Sequence, residues 1–181
     1  MLEQYLINHG SPTLAGLKTA SMFCLPVVEG WEAEVKLWND VLGSKGLALT
    51  ELRRENGRAL LYLYRPSQLQ QDLEQPGVKA FLASYGYESV QVSEALSRLR
   101  LRLKESRGFP HEVGIFLSYP LGDVVGFIQN EGRNCKCSGC WKVYCNELEA
   151  QKRFARFKKC REVYARLWNQ GRTVWQLTVA A

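Results

Sequence analysis

Residues 47–65, LALTELRRENGRALLYLYR, decide the fold. Leu47 to Arg54 and Arg58 to Arg65 read as two strand-like runs joined through Asn56-Gly57. An Asn-Gly pair supplies the positive φ angles that a two-residue type I′ turn requires, so the runs form an antiparallel hairpin. Upstream, Trp31, Val35, Trp38 and Leu42 recur at i, i+4, i+7 and i+11, the stripe of an amphipathic helix closed by Gly46. Met22 to Leu25 is a short apolar run that Pro26 stops, a strand. Leu2 to Asn8 is a short helix, and Ser11-Pro12 starts a second, because Ser caps well and Pro suits the first helical position.

Downstream, Pro66 and Pro76 each open a short helix, the second ending near Gly86. Val92, Leu96, Leu99 and Leu103 form another helical stripe, although Leu99 to Leu103 also alternates as a strand would. His111 to Ser118 reads as a buried strand, Pro120 to Asn130 as a helix closed by Gly132, and Cys140 to Cys145 as a strand by its Trp, Val and Tyr content. Asn146 with Glu149 caps a last helix that turns Phe154, Phe157, Cys160, Tyr164, Leu167 and Trp168 inward and ends at Gly171. The class is α+β: a mixed or antiparallel sheet, including the Asn-Gly hairpin, with helices packed on it. No linker or internal repeat divides the chain, so residues 1–181 form a single globular domain.

The composition, 46% hydrophobic and 23% charged over 181 residues, is that of an ordinary globular protein. No run approaches the roughly 18 apolar residues of a membrane span. The first residues carry neither a basic leader nor an apolar signal core, which predicts a cytoplasmic location and reduced thiols for the six cysteines. Residues 1–90 hold 8 Lys and Arg against 10 Asp and Glu, a charge of −2; residues 91–181 hold 16 against 8, a charge of +8. Such a basic half attracts anions, but no nucleic-acid-binding motif accompanies it, and neither nucleic acid nor a membrane is expected as a partner.

Three stretches, SPTLAGLKTASMF at 11–23, FPHEVGIFLSYPLGDVVGFIQNEG at 109–132 and GCWKVY at 139–144, resemble an uncharacterised bacterial family of anaerobic Gram-positive organisms, catalogued as domain of unknown function 3793. The family has no established activity. Its genes tend to lie beside flavodoxin or iron-uptake genes, so the resemblance implies a place in anaerobic redox or iron metabolism. The family's middle motif reads Gly-Tyr-Pro where this chain has Ser118-Tyr119-Pro120. A glycine needed there for close approach of a ligand would be missing.

Four constellations carry chemistry. The first is the 111–123 segment. Pro120 at a helix start leaves the N–H groups of Leu121 and Gly122 free to hold an oxyanion, with Tyr119 as a phenol donor. His111 is the candidate for proton transfer or metal ligation, since histidine ordinarily titrates near neutrality. On a strand Glu112 would point away from it. The second pairs His9 with Lys18 around the predicted helix start at Ser11-Pro12, with free amides at Thr13 and Leu14. Convergence of His9 with His111 would make a metal, haem or proton-transfer site. The third is Cys135, Cys137 and Cys140, three loop thiols able to hold zinc or iron if a fourth ligand joins them. Cys145 would face elsewhere, and Cys24 and Cys160 are expected in the core. The fourth is the basic set of Arg98, Arg100, Arg102, Lys104 and Arg107 with Arg153, Arg156, Lys158, Lys159 and Arg161, wet helix faces that could dock an acidic partner such as a flavodoxin-like carrier.

The leading expectation is a protein that binds a small anionic ligand or a redox cofactor, haem- or flavin-related, on the 111–123 segment. The cofactor's identity is unknown. The alternatives are metal or thiol-redox chemistry at Cys135, Cys137 and Cys140, and non-catalytic docking of an acidic redox protein.

Overall fold

The computed structural model describes residues 1–105 and 108–181. Strands β1 (Ala20–Pro26), β2 (Ala48–Glu55) and β3 (Arg58–Tyr64) form an antiparallel sheet in the order β1-β3-β2. Asn56 and Gly57 take φ angles of 51° and 69°, and Glu55 pairs with Arg58 across them. β3 is central because its apolar run has partners on both sides and cover on both faces. Leu60 and Tyr62 point into one core, while Ala59, Leu61 and Leu63 point into another. Each buried leucine of this strand contributes about 1.5–3 kcal/mol of transfer free energy.

The first core is roofed by α3 (Pro66–Leu73), α4 (Val78–Ala83), α5 (Val92–Glu105), α6 (Val113–Phe116) and α7 (Leu121–Gln129). The second is covered by α1 (Leu2–Leu14), α2 (Trp31–Gly43), α9 (Val174–Leu177) and the later turns of α8 (Glu147–Asn169). The fold is therefore α+β, a small antiparallel sheet between helical layers. A third, smaller core joins the early turns of α8 to a hairpin of β4 (Cys137–Ser138) and β5 (Lys142–Val143), around Trp141, Val143 and Phe157. Among the described residues no helix is long and apolar enough to cross a membrane.

Several local expectations are corrected. His111 to Ser118 is not a strand: after Pro110 the chain turns, with the Val113 and Gly114 amides donating to Pro110 O and His111 O, and runs into α6. A short apolar run carries no period to separate helix from strand, and here cover on every side of Val113, Gly114, Ile115 and Phe116 favours one helical turn. Ser11-Pro12 starts no second helix. Pro12 lies in the last turn of α1, and Ser11 Oγ donates back to Ile7 O. The Thr13 and Leu14 amides are thus inside a helix, and Lys18 stands in the turn after it rather than within a helix. The strand over 140–145 shrinks to β5, and Cys24 is exposed at the outer end of β1 instead of buried. The Val92–Leu103 stripe is helical throughout. α9 was not anticipated, although Thr173 and Gln176 form the reciprocal capping box that announces it.

Candidate functional site

The turn after Phe109, the helix α7 and the β4–β5 hairpin enclose a cavity of about 300 Å³, at the small end of the range for ligand sites. Its walls are largely apolar, built from Phe109, Val113, Tyr119, Phe127 and Trp141, with His111, Asp123, Ser138 and Lys142 as polar members. Tyr119 stacks on Trp141 with centroids 4.9 Å apart and planes 27° from parallel. The His111 imidazole leans on Phe127 at 5.1 Å and is exposed at the rim. Lys142 Nζ lies 5.9 Å from the Phe127 centroid and donates to Gly132 O at 2.6 Å. A Cβ on Gly114 would come within 2.7 Å of Val124 and 3.1 Å of Tyr119, so glycine is what lets α6 close on the cavity wall.

Tyr119 serves this cavity with its ring, not its hydroxyl. The hydroxyl donates to Cys140 O at 3.2 Å, and burial, with Cys140 adding to it, pushes the phenol up to about 12. Among the described residues the Leu121 and Gly122 amides have no backbone acceptor, as the first amides of a helix lack one. They do not share the imidazole's cavity, however. Leu121 lines a separate cleft of about 270 Å³ with Asp72 and Ser118, and Gly122 lies against Cys145. The helical turn at 113–116 causes this divergence, because it rotates His111 away from the start of α7.

Asp123, 2% exposed, was not singled out from the sequence, where it looks like an ordinary acidic residue in a helix's first turn. Its Oδ2 accepts from Trp141 Nε1 at 2.8 Å, and its Oδ1 from the Tyr144 and Cys145 amides, each at 2.8 Å. It ties the hairpin to α7 and so sets the back wall of the cavity. Glu112 turns inward, fully buried, to receive Arg102 Nε at 2.7 Å and the Tyr87 hydroxyl at 3.4 Å. Its partners are Arg102 and Tyr87 rather than His111, and the strand from which the sequence reading set the two side chains apart does not form.

Ser118 takes φ 60°, a left-handed conformation that costs a non-glycine residue roughly 1–2 kcal/mol. A glycine at this position would adopt the same conformation without that cost. Ser118→Gly is expected to stabilise the protein by about 0.5–1 kcal/mol, the relief of strain being partly offset by unfolded-state entropy and the lost Oγ contact with Arg153. Chemical denaturation checks this, and a destabilised variant would refute it.

The other candidates part company. His9 is exposed and lies 5.8 Å from both the Tyr5 and Phe23 rings, on the second core, whereas His111 leans on Phe127. Lys18, by contrast, comes to Tyr119, its Nζ 5.6 Å from the ring centroid. Among the described residues no three His, Cys, Asp or Glu side chains gather as a metal would need. Cys135 and Cys137 sit two apart on the hairpin near Glu147, and burial followed by Glu147 raises the Cys137 thiol. Cys140 faces Tyr119 and Lys18. Cys145 is exposed beside Asp123, its thiol also raised, first by burial. Cys160 is buried as expected.

Much of the basic set is spent internally. Arg98 reaches Tyr85 O and Glu105, Arg100 reaches Thr50 and Glu51 O, and Arg102 holds Glu112. Lys104, Arg156, Lys158 and Lys159 are exposed, Arg153 and Arg161 half-buried; Arg107 lies outside the described residues. A family profile, described as Protein of unknown function (DUF3793), matches residues 6–178. Comparison with curated proteins and with solved structures returns no match.

Proposed function

The chain belongs to the DUF3793 family, of unknown function, and from the chemistry of its own cavity we propose that it binds a small, flat, anionic ligand, a redox cofactor such as a flavin included. The observation that carries this reading is the aromatic enclosure. Phe127 and the rims of the stacked Tyr119 and Trp141 rings give a planar guest an aromatic lining, while His111 and Lys142 stand where its charged end would emerge. A volume of about 300 Å³ suits a compact ring system better than a whole haem. His111 would donate a hydrogen bond or exchange a proton with the guest, since its ring edge meets both cavity and solvent. A role in redox or iron metabolism belongs to the same proposal.

Titration with flavin mononucleotide and with a naphthalene sulfonate, read by Trp fluorescence, tests this. His111→Ala and Phe127→Ala are each expected to weaken binding by about three- to tenfold, the value of one lost aromatic or charge-assisted contact, while His111→Ala leaves the fold intact. Equal affinity in both variants sinks the reading. A second reading, docking of an acidic redox protein, is favoured by the exposed Arg156, Lys158 and Lys159 on α8, which form no ion pair among the described residues.

A further inference from the structure

The aromatic cavity has two chemically different ends. Toward α6, Gly114, Tyr119 and Val124 close on one another, and Trp141 stacks on the Tyr119 ring. Toward Gly132 the lining turns polar. Lys142 Nζ and the His111 ring lie 5.9 and 5.1 Å from the same Phe127 centroid, so the two groups are at most 11 Å apart, the sum of those distances. Ser138 stands directly opposite Lys142 in the β4–β5 register, and both residues line the cavity. Paired positions of a hairpin send their side chains to one face, with Cβ atoms about 4.5–5.5 Å apart. Two glycines set this end in place. A Cβ on Gly139 would collide with Phe154 of α8, so the hairpin tip seats on that helix. A Cβ on Gly132 would come 3.0 Å from Phe127 and 3.5 Å from Lys142 Nζ, so its absence lets the lysine fold back over the ring.

Lys142 spends one of its three N–H bonds on Gly132 O and keeps two. Among the described residues neither Lys142 nor His111 is in an ion pair. Asp123, the one acid in the lining, has both oxygens occupied at the back wall by the Trp141 indole and the Tyr144 and Cys145 amides. The polar end therefore offers one full cation with two N–H groups to give, a hydroxyl beside it and an imidazole on the same aromatic ring. These donors fit a planar monoanion with two oxygens. A carboxylate conjugated to a ring lies in the plane of that ring, so a cavity that takes the ring delivers both oxygens to the donors, and charge-assisted bonds are the strong kind. A phosphate monoester fits less well. It brings close to two negative charges to one full cation, and a partly desolvated charge without a partner is costly.

We propose that Lys142, Ser138 and His111 form the carboxylate-binding end of the cavity, and that its guest is a compact aromatic carboxylate. This rests on the reading of the cavity as a site for flat anions and narrows it to one chemical class. Calorimetric titration of the whole protein at pH 8 with 2-naphthoate, 2-naphthyl phosphate and the neutral 2-naphthalenemethanol provides the test. In the wild type, 2-naphthoate is expected to bind about tenfold more tightly than the alcohol and about threefold more tightly than the phosphate. Lys142→Met is expected to weaken 2-naphthoate about tenfold and Ser138→Ala about threefold. The alcohol keeps its affinity in both variants, which a damaged fold would not allow.

Failure of all three compounds to bind the wild type sinks the flat-anion reading and this proposal with it. Equal affinity for 2-naphthoate and the alcohol leaves an aromatic cavity standing and overturns the carboxylate end alone. Naphthyl phosphate binding as tightly as 2-naphthoate overturns it too, as does a Lys142→Met variant that keeps its 2-naphthoate affinity or loses both compounds equally.

Discussion

Arg65→Met is expected to lower the stability of the fold by about 3–5 kcal/mol, the loss from breaking a buried charged hydrogen-bond set. Arg65 is 1% exposed. Its Nε donates to Thr13 O at 2.8 Å, and its Nη2 to Leu14 O at 2.9 Å and Val179 O at 2.7 Å. Thr13 and Leu14 are the last residues of α1, whose final carbonyls have no partner within the helix and form its negative end. One guanidinium thus caps α1, balances its dipole and ties down the C-terminal segment, where the Val179 amide also donates to Leu14 O. Burial lowers the affinity of Arg65 for its proton, yet no carboxylate is needed because three carbonyl dipoles face the charge.

Methionine fills much of the volume and supplies no donor, so three charge-assisted bonds of about 1.5–3 kcal/mol each are lost before relaxation; Thr13 O and Leu14 O keep the Gly16 and Val179 amides, whereas Val179 O loses its guanidinium donor. Lysine recovers only part, since a point ammonium cannot span a fork of acceptors. Urea unfolding measures the loss, and hydrogen exchange is expected to quicken first at Val179 and Ala181. A change below about 1 kcal/mol contradicts the assignment.

The second large effect is expected at Asp123. Asp123→Ala strands the Trp141 indole and the amides of Tyr144 and Cys145, at a cost of about 3–4 kcal/mol by the same reckoning. Asp123→Asn is expected to lose roughly half as much. Its carbonyl can keep both amides while its NH2 is set against the indole N–H. The two substitutions also differ from Arg65→Met in where they act. Released from α7, the hairpin carries Trp141 off the Tyr119 stack, so flavin mononucleotide affinity should fall along with stability. A shifted Trp emission with weakened binding is the expected pair of results, and unchanged emission in folded Asp123→Ala would show that Asp123 does not hold the wall.

Both residues were invisible in the sequence for the same reason. Arg65 looks like the polar end of a strand and Asp123 like a helix-start acid, and both descriptions are locally correct. Their roles come from acceptors and donors that lie 51, 52 and 114 residues away for Arg65 and 18 to 22 residues away for Asp123. Lys18 and Tyr119 were each marked for ligand binding but in different constellations. Only the docking of the α1–β1 turn beside the hairpin unites them. His111 lines a hollow, whereas the Leu121 amide opens on another cleft, and residues 113–116 between them form a helical turn and not the strand that the apolar run suggests.

What the amino-acid order determined by itself was whatever rests on neighbours in the chain. Asn56-Gly57 dictates its own turn through backbone sterics, and the 31–42 and 92–103 stripes declare helices through their period. Asn146 caps α8 by accepting from the Glu149 amide three residues on, and the apolar β3 run demands cover on two faces. What only the tertiary structure decided was whatever depends on competition between distant partners. The 111–118 run became helix because of what surrounds it, the thiols of 135–145 were sent to three different places, and Asp123 spent its charge on the hairpin. Local conformational preference is written in a few adjacent side chains, but a buried charge or an aperiodic apolar run is settled by the total free energy of the packed chain, to which residues a hundred positions apart contribute equally.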